Sequence, residues 1–414
     1  MNNVSRRLRI KNNLIESRNN ILEGRVNCIP LPFHRFRSEF PGIRRKFYYL
    51  VSGGTKSSKT QITNYIFVIN SIFYYLNYPD RVKPTIHIFP LEETEDDITL
   101  RFYAYVINYI SKGKYSLSPE ELESVDERNP LNQEVLDLMD SEEFIKITNT
   151  FDECVHFHSN QRNPTGIYKT IKQYMEDNGE VEYRKEEITY KDDFGVVKKE
   201  TINKIVGYKP NNPNEYVIFI VDHVGLLQIE QNMTLKATIE KLSEYCVILR
   251  NKYYAIPVIV QQQNSETTNL DAFKSNKVRP TKDGLKDSKR TGEDCTVLLG
   301  ITNPYSFDLP TYLGYDITKL KDSFRVLEVV LSRKGKANGL CPLYFNGAIN
   351  LYSELPLPND SEKMNKVYKV LQDMRNKTNK VFFIHNSNKN NKKLQNKSIF
   401  SKFAALFNNL NKRK

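Results

Sequence analysis

Apolar residues follow three rhythms along this 414-residue chain. The first is the continuous run. "FYYLV" (47–51), "YVIFIVDHVGLL" (216–227), "AIPVIVQQQN" (255–264) and "CTVLLGITNP" (295–304) read as strands buried on both faces. "PTIHIFP" (84–90), "ECVHFHS" (153–159) and "FRVLEVVLSRKGKANGLCPLYFNG" (324–347) supply further strands. The second rhythm is helical. Ile62, Tyr65, Ile66, Ile69, Phe73 and Leu76 share one face, "GIYKTIKQYMEDNG" (166–179) and residues 234–252 read as helices, and the acidic stretch 114–150 is expected to be helical. Leu8, Ile10, Leu14, Ile15, Ile21 and Leu22 predict an amphipathic helix over 4–23 that needs a partner surface. The third is strict alternation over 181–208, which predicts a β-hairpin turning at Asp193-Phe194-Gly195, a surface insertion.

Strands alternating with helices predict an α/β fold: a mainly parallel, twisted sheet flanked by helices, with the hairpin added. Three parts are expected: an N-terminal helix (1–27), a core (28–355) with its insertion at about 178–210, and a C-terminal tail (356–414). From about residue 377 the tail turns Asn/Lys-rich and reads as disordered. "SIFSKFAALFNNLNKRK" at its end could form a small amphipathic helix.

Charge sharpens this division. The net charge is +12, but residues 361–414 hold 14 Lys/Arg against Glu362 and Asp373, and residues 1–50 hold 11 against three acids. The middle is therefore mildly acidic, and the basic ends, rather than the core, carry any general attraction to polyanions. Five widely spaced cysteines without a CxxC pair fit a reducing compartment. No apolar segment resembles a secretory signal or reaches the roughly 20 residues that span a membrane. A cytoplasmic protein is expected.

Chemistry concentrates at the strand tips. "GGTKSSKT" (53–60) lies between a predicted strand and helix and nearly matches the phosphate-loop pattern of Gly, four residues, then Gly-Lys-Ser/Thr. Such a loop aims backbone N–H groups at phosphate, backed by a helix N-terminus. Gly53, Gly54, Thr55, Lys56, Ser57, Ser58, Lys59 and Thr60 are the candidate cradle. Lys59 would neutralise the outer phosphates and Thr60 would reach a magnesium ion, but Ser58 stands where the second glycine belongs. The Ser58→Gly variant is expected to bind ATP at least as well. Asp222 ends the most apolar strand and is the candidate second magnesium-site residue. Glu92-Glu93, after "HIFPL", could polarise a water, although Glu92, Glu93, Glu95, Asp96 and Asp97 all suit a first helical turn. Gln262, ending "PVIVQQ", is a candidate sensor of the γ-phosphate. Cys154, His156 and His158 alternate on a predicted strand, a weaker metal motif without a fourth ligand.

Taken in order, these segments resemble the ATPase domain of DnaB-type replicative helicases, a RecA-like P-loop NTPase family. "IPLPFHRFRSEFPGI" is similar to the lead-in before its phosphate loop, "FPLEETEDDITLRF" to the segment with the catalytic Glu, which the resemblance places at Glu92, "VIFIVDHVGLL" to the Mg²⁺-binding strand, "IPVIVQQQN" to the sensor strand, and "GLKDSKRTGEDCTVLL" to a later segment. "LSRKGKANG" resembles the segment whose two basic residues reach the neighbouring subunit's γ-phosphate, placing them at Lys334 and Lys336. The resemblance spans roughly 28–350. It implies an ATP- and Mg²⁺-dependent DNA helicase that encircles single-stranded DNA as a homo-oligomeric ring, expected to be a hexamer. DNA contacts would come from the loop after the sensor strand, with Lys274, Lys277, Arg279 and Lys282 as candidates. The chain departs from the family at Ser58 and at Lys336, where Arg is usual, and the family's N-terminal domain does not precede the core. The N-terminal helix matches the family's linker helix, and that helix or the tail is the expected contact for other replication proteins. The missing N-terminal domain and the Asn/Lys-rich composition suggest a phage or other mobile-element source. Two alternatives stay open: a recombinase or recombination mediator of the same fold, and a nucleotide-binding scaffold without turnover.

Overall fold

In a computed structural model, residues 6–191, 194–264 and 278–385 are described, except for the side chains of Arg6, Arg9 and residues 376–385. Fifteen strands form among the described residues. Ile29–Pro30 (β1) pairs with Gly42–Ile43 (β2). Then come Tyr49–Gly53 (β3), Lys83–Pro90 (β4), Val155–Phe157 (β5), Gly179–Lys191 (β6), Val197–Pro210 (β7), Glu215–Asp222 (β8), Ile256–Gln262 (β9) and Val297–Thr302 (β10). Thr311–Tyr312 (β11), Tyr315–Asp316 (β12), Phe324–Ser332 (β13), Leu340–Asn346 (β14) and Leu351–Glu354 (β15) complete the set.

Nine of these build one sheet in the order β15-β14-β13-β10-β3-β9-β8-β4-β5. From β10 to β5 all neighbours are parallel, while β13, β14 and β15 join antiparallel. The apolar runs explain the burial. Along β8, Tyr216, Ile218 and Ile220 enter one core cluster while Val217, Phe219 and Val221 enter the other. Tyr49 and Val51 of β3 divide in the same way from Leu50 and from Tyr48, which directly precedes the strand. Each face is covered: Ile62, Phe102 and Phe151 bring helices against the first, and Ile167 and Leu242 against the second. Six parallel strands sharing one direction place all their C-terminal ends along one rim. That rim is where side chains at strand tips can meet.

The remaining elements test the sequence expectations. β6 and β7 form the expected hairpin, paired with each other alone, and largely exposed beyond a base held by buried Tyr208. The Tyr208 hydroxyl donates to the Met175 carbonyl at 2.9 Å. Asp192 and Asp193 at its turn lie outside the described residues. The N-terminal helix runs Arg6–Leu22, with Leu14, Ile21 and Leu22 all more than half exposed. One expectation fails: Cys154 is not on a strand with His156 and His158. It closes the helix Glu142–Cys154, because the acidic, amphipathic pattern of that helix runs through Phe151. His158 instead meets His87 of β4, with 2.9 Å between Nδ1 of His87 and Nε2 of His158. Among the described residues no group of three or more His, Cys, Asp or Glu is arranged to hold a metal ion. The start of the tail is ordered rather than loose. A helix, Ser361–His385, packs Met364, Val367 and Leu371 against Tyr315, Leu320 and Phe324. The rest of the Asn/Lys-rich segment and the terminal "FAALF" stretch lie outside the described residues. No helix among the described residues is long and apolar enough to cross a membrane.

Candidate functional site

The tip of β3 opens into the candidate phosphate loop, residues 53–60. Gly53 ends the strand in register with Gln262 of β9 and Ile301 of β10. A Cβ on Gly53 would collide with the Ser57 hydroxyl and the Ile301 carbonyl, so glycine is required by space. Lys56 and Ser58 both take left-handed backbone angles, φ 57° and 68°. The helix begins at Lys59, and the Ile62 N–H donates to the Ser58 carbonyl at 3.0 Å. Ser57 Oγ and Lys59 Nζ both donate to the Gly54 carbonyl, at 2.8 and 2.9 Å, which folds the loop around its own first turn.

Lys59 is only 9% exposed. Burial lowers its pKa, opposed by the carboxylates of Asp222 and Glu92. Those two acids are therefore near the Lys59 ammonium, although Asp222 ends β8 and Glu92 follows β4, far apart in sequence. Asp222 ends β8, paired in register with Pro90 of β4, and Leu91 N–H donates to its carbonyl at 2.9 Å. Burial pushes the Asp222 carboxyl up to about 7; the Thr60 hydroxyl, bonded to it, acts the other way, and Glu93 and Glu92 add to the rise. Its Oδ1 is buried without a hydrogen-bond partner. A buried carboxylate oxygen left open beside a hydroxyl fits a hydrated magnesium ion, so Thr60 and Asp222 suit the group the phosphate loop implies.

Glu92 and Glu93 precede the helix Glu95–Ile110, whose N-cap is Thr94 in a capping box with Asp97. The acids of the first helical turn are thus capping residues, and Glu92 and Glu93 are separate from them. Glu92 stays more than half exposed, with its Oε2 3.5 Å from Nε2 of His223. Nδ1 of His223 accepts the Gly225 N–H at 3.2 Å, which leaves the proton on Nε2, directed at Glu92. Glu93 is turned inward onto Arg101 at 2.6 Å, and burial raises its pKa. Of the two, Glu92 is the one free to face a water.

At the tip of β9, three successive glutamines divide their work. Gln261 Nε2 donates to the Lys286 and Ser288 carbonyls, and Gln263 Nε2 to Ser52 Oγ and the Thr281 carbonyl. Gln262 lies between them, half-buried, with its carbonyl accepting the Lys286 N–H at 2.9 Å. That bond joins the end of β9 to Lys286. A cavity of about 180 Å³ adjoins the phosphate loop here, lined by Gly54, Thr55, Gln263, Pro280, Asn303 and Phe307 among others.

The other candidates lie elsewhere. β13 runs antiparallel to β10, so Ser332 sits opposite Val297, at the starting rim of the parallel strands. Lys334 and Lys336 follow there, separated from the chain's own phosphate loop by the length of β10, roughly 20 Å. Lys334 Nζ is 5.4 Å from the centre of the Phe47 ring, and Lys336 Nζ is 3.4 Å from Glu39 Oε1. The nearby Arg333 is held by the Cys295 and Glu293 carbonyls. Of the candidate DNA-contacting residues, Lys274 and Lys277 lie outside the described residues. Arg279 Nη1 is 3.6 Å from Glu328 Oε1, and the Lys282 stem lies across Gly292.

Three contacts at the site escape a reading of the sequence: His223 on Glu92, and Arg325 and Tyr352 on Ser58. Arg325 Nε donates to Ser58 Oγ at 3.0 Å, and the Tyr352 hydroxyl to the Ser58 carbonyl at 3.3 Å. The one sequence signal for Arg325 is a charge set inside the apolar strand "FRVLEVV".

No family model and no curated protein matches the sequence. Solved structures do. A solved ATPase domain superposes with a TM-score of 0.57 at 13% identity, covering 86% of this chain and 100% of that one. A DnaB-like replicative helicase, described with its interactions with primase, gives 0.56 at 12% identity, covering 82% of this chain and 65% of that one. At such identities the likeness speaks for architecture: the chain has a RecA-like α/β fold, similar to the ATPase domains of DnaB-like helicases.

Proposed function

We propose that the chain is an ATP-hydrolysing motor of the DnaB helicase type, acting on single-stranded DNA as a homo-oligomeric ring. One observation carries the reading. Lys59, Thr60, Asp222, Glu92 and Gln262 meet on one rim of the sheet, while Lys334 and Lys336 stand on the opposite rim. A triphosphate on the first rim finds binding groups but lacks the basic pair that would stabilise its transition state. A second copy, stacked rim to rim, would supply that pair in trans.

In this reading the loop N–H groups of residues 53–60 and Lys59 hold the β- and γ-phosphates. A magnesium ion at Thr60 and Asp222 would neutralise charge on those phosphates. Glu92, steadied by His223, orients the attacking water and accepts its proton. Gln262 senses the loss of the γ-phosphate and passes it to the segment after β9, where Lys274, Lys277, Arg279 and Lys282 are the proposed DNA contacts. The exposed apolar side of the Arg6–Leu22 helix is the proposed seat of subunit contact. A scaffold without turnover is the second reading, favoured by Lys336 standing where an arginine would be more effective and by its pairing with Glu39.

Measuring ATP hydrolysis with and without single-stranded DNA separates these readings. The motor predicts turnover stimulated by DNA and reduced at least about 100-fold in Lys59→Ala, the scale of losing a main phosphate-stabilising group. Turnover equal to that variant's leaves the scaffold. Unwinding of a forked duplex separates the helicase from a recombinase, which would pair strands without unwinding.

A further inference from the structure

Ser58 occupies the one loop position where the phosphate-loop pattern calls for glycine. Its φ of 68° explains the glycine: a residue with a Cβ is disfavoured there by roughly 1–2 kcal/mol. Nothing in the loop itself compensates for that, since the Ser58 hydroxyl donates only to the adjacent Ser57 carbonyl. The compensation comes from the antiparallel side of the sheet. Arg325, 267 residues away, donates Nε–H to the Ser58 hydroxyl, and Tyr352, 294 residues away, holds its carbonyl.

Arg325 is itself built into place. It is 3% exposed, and its guanidinium lies over the Phe345 ring at 4.6 Å. Nη1 donates to the Asp322 and Phe324 carbonyls at 2.6 and 2.9 Å, and Nη2 to Asp322 Oδ1 at 3.2 Å. Tyr352 stacks on the same Phe345, at 4.6 Å. A guanidinium held by three hydrogen bonds and the Phe345 ring aims its Nε–H at Ser58, and the Ser58 hydroxyl has its donor and its acceptor both engaged. The side chain that a glycine would lack is thus the handle by which the loop is gripped.

We propose that Arg325 is a positioning residue for the phosphate loop: its clasp on the Ser58 hydroxyl holds the loop, ahead of binding, in the left-handed bend that receives the nucleotide's phosphates. The inference rests on the nucleotide-binding reading above and adds to it a residue from outside the loop. Holding the loop ready lowers the cost of ordering it on binding. It also ties the site to strands β13–β15, so that phosphate binding and the packing of that side of the sheet report on each other.

A double-mutant cycle on Mg-ADP affinity tests the clasp in the full chain. Ser58→Ala keeps the Cβ and loses the hydroxyl; Arg325→Met keeps much of the volume near Ser58 and has no N–H to donate. Each is expected to weaken binding about 10-fold, the scale of one hydrogen bond to a charged group. The double variant is expected to lie within about threefold of the weaker single, since both remove the same contact. Arg325→Leu, likewise without a donor, replaces Arg325→Met should the latter fail to fold. In ATP turnover, the Ser58→Ala loss is expected in KM, in proportion to the loss of affinity. A merely structural weakening would instead reduce the active fraction, lowering kcat at unchanged KM. Losses that multiply to about 100-fold, or single variants with wild-type affinity, overturn the clasp while leaving the nucleotide site standing. A wild-type chain that binds no Mg-ADP overturns both.

Discussion

Ser58 shows how one residue can carry opposing terms. Glycine at 58 would relieve the strain of a positive φ, and would give up the Arg325 contact. Both terms are about 1–2 kcal/mol. Ser58→Gly is therefore expected to bind Mg-ATP within about threefold of wild type, and in the Arg325→Met background, where no clasp is left to lose, to bind more tightly than Ser58. Loss of binding in Ser58→Gly would mean that the loop uses some other geometry. Much at this scale was legible. Asp222, Glu92 and Gln262 announce themselves because each polar residue ends or directly follows an apolar run, and a polar group at such a place lies at a strand tip. Arg325, Tyr352 and His223 did not. The first two act across 267 and 294 residues, and no local pattern encodes so distant a contact.

At the scale of elements, the histidines of β4 and β5 give the structure a pH response. His87 is 3% exposed, lies 4.6 Å from the Tyr174 ring and bonds His158. Burial, with His158 and His156 adding to it, lowers its pKa to about 3, and burial lowers those of His156 and His158 as well. Below its unfolded value of 6.5 the unfolded chain takes up protons that the folded one refuses. Stability is therefore retained at neutral pH and lost as pH falls from about 6.5 towards 3, by up to about 1.4 kcal/mol per pH unit for His87. Thermal melts at pH 7 and 5 are expected to differ less for His87→Phe than for wild type; an equal difference would place the acid sensitivity elsewhere. The β6–β7 hairpin makes a second prediction. Beyond its base it is exposed and pairs with itself alone. Replacing residues 184–203 with a two-residue turn is expected to shift Tm by less than about 3 °C, since exposed surface positions contribute little. A large drop would mean that the outer ribbon supports the core. The hairpin was legible from strict alternation, and the parallel strands from their apolar runs. The helix Ser361–His385 was not, because Met364, Val367 and Leu371 are sparse among Lys and Asn and find their apolar partners only in the folded chain.

For the whole molecule, the sheet sets the candidate residues on two opposite rims. The phosphate loop and its acids share one, and Lys334 and Lys336 stand on the other, so the proposed site is complete only between copies. The fold class was legible from strand–helix alternation. The opposition of the rims was not, because it depends on β13 turning back antiparallel along β10. The N-terminal helix offers a check on assembly: deleting residues 1–22 removes the exposed Leu14, Ile21 and Leu22 and is expected to leave smaller oligomers by mass photometry. Subunit mixing tests the central claim most directly. Lys59→Ala lacks the proposed phosphate-binding group, and a Lys334→Ala/Lys336→Ala double variant lacks the proposed basic pair; each alone is expected to hydrolyse little ATP, where wild type is expected to turn over with single-stranded DNA. Mixed and reassembled in equal amounts, the two are expected to recover roughly a quarter of wild-type hydrolysis, because an intact loop then faces an intact pair at about one interface in four. A mixture no more active than its components, beside an active wild type, would contradict a site shared between copies.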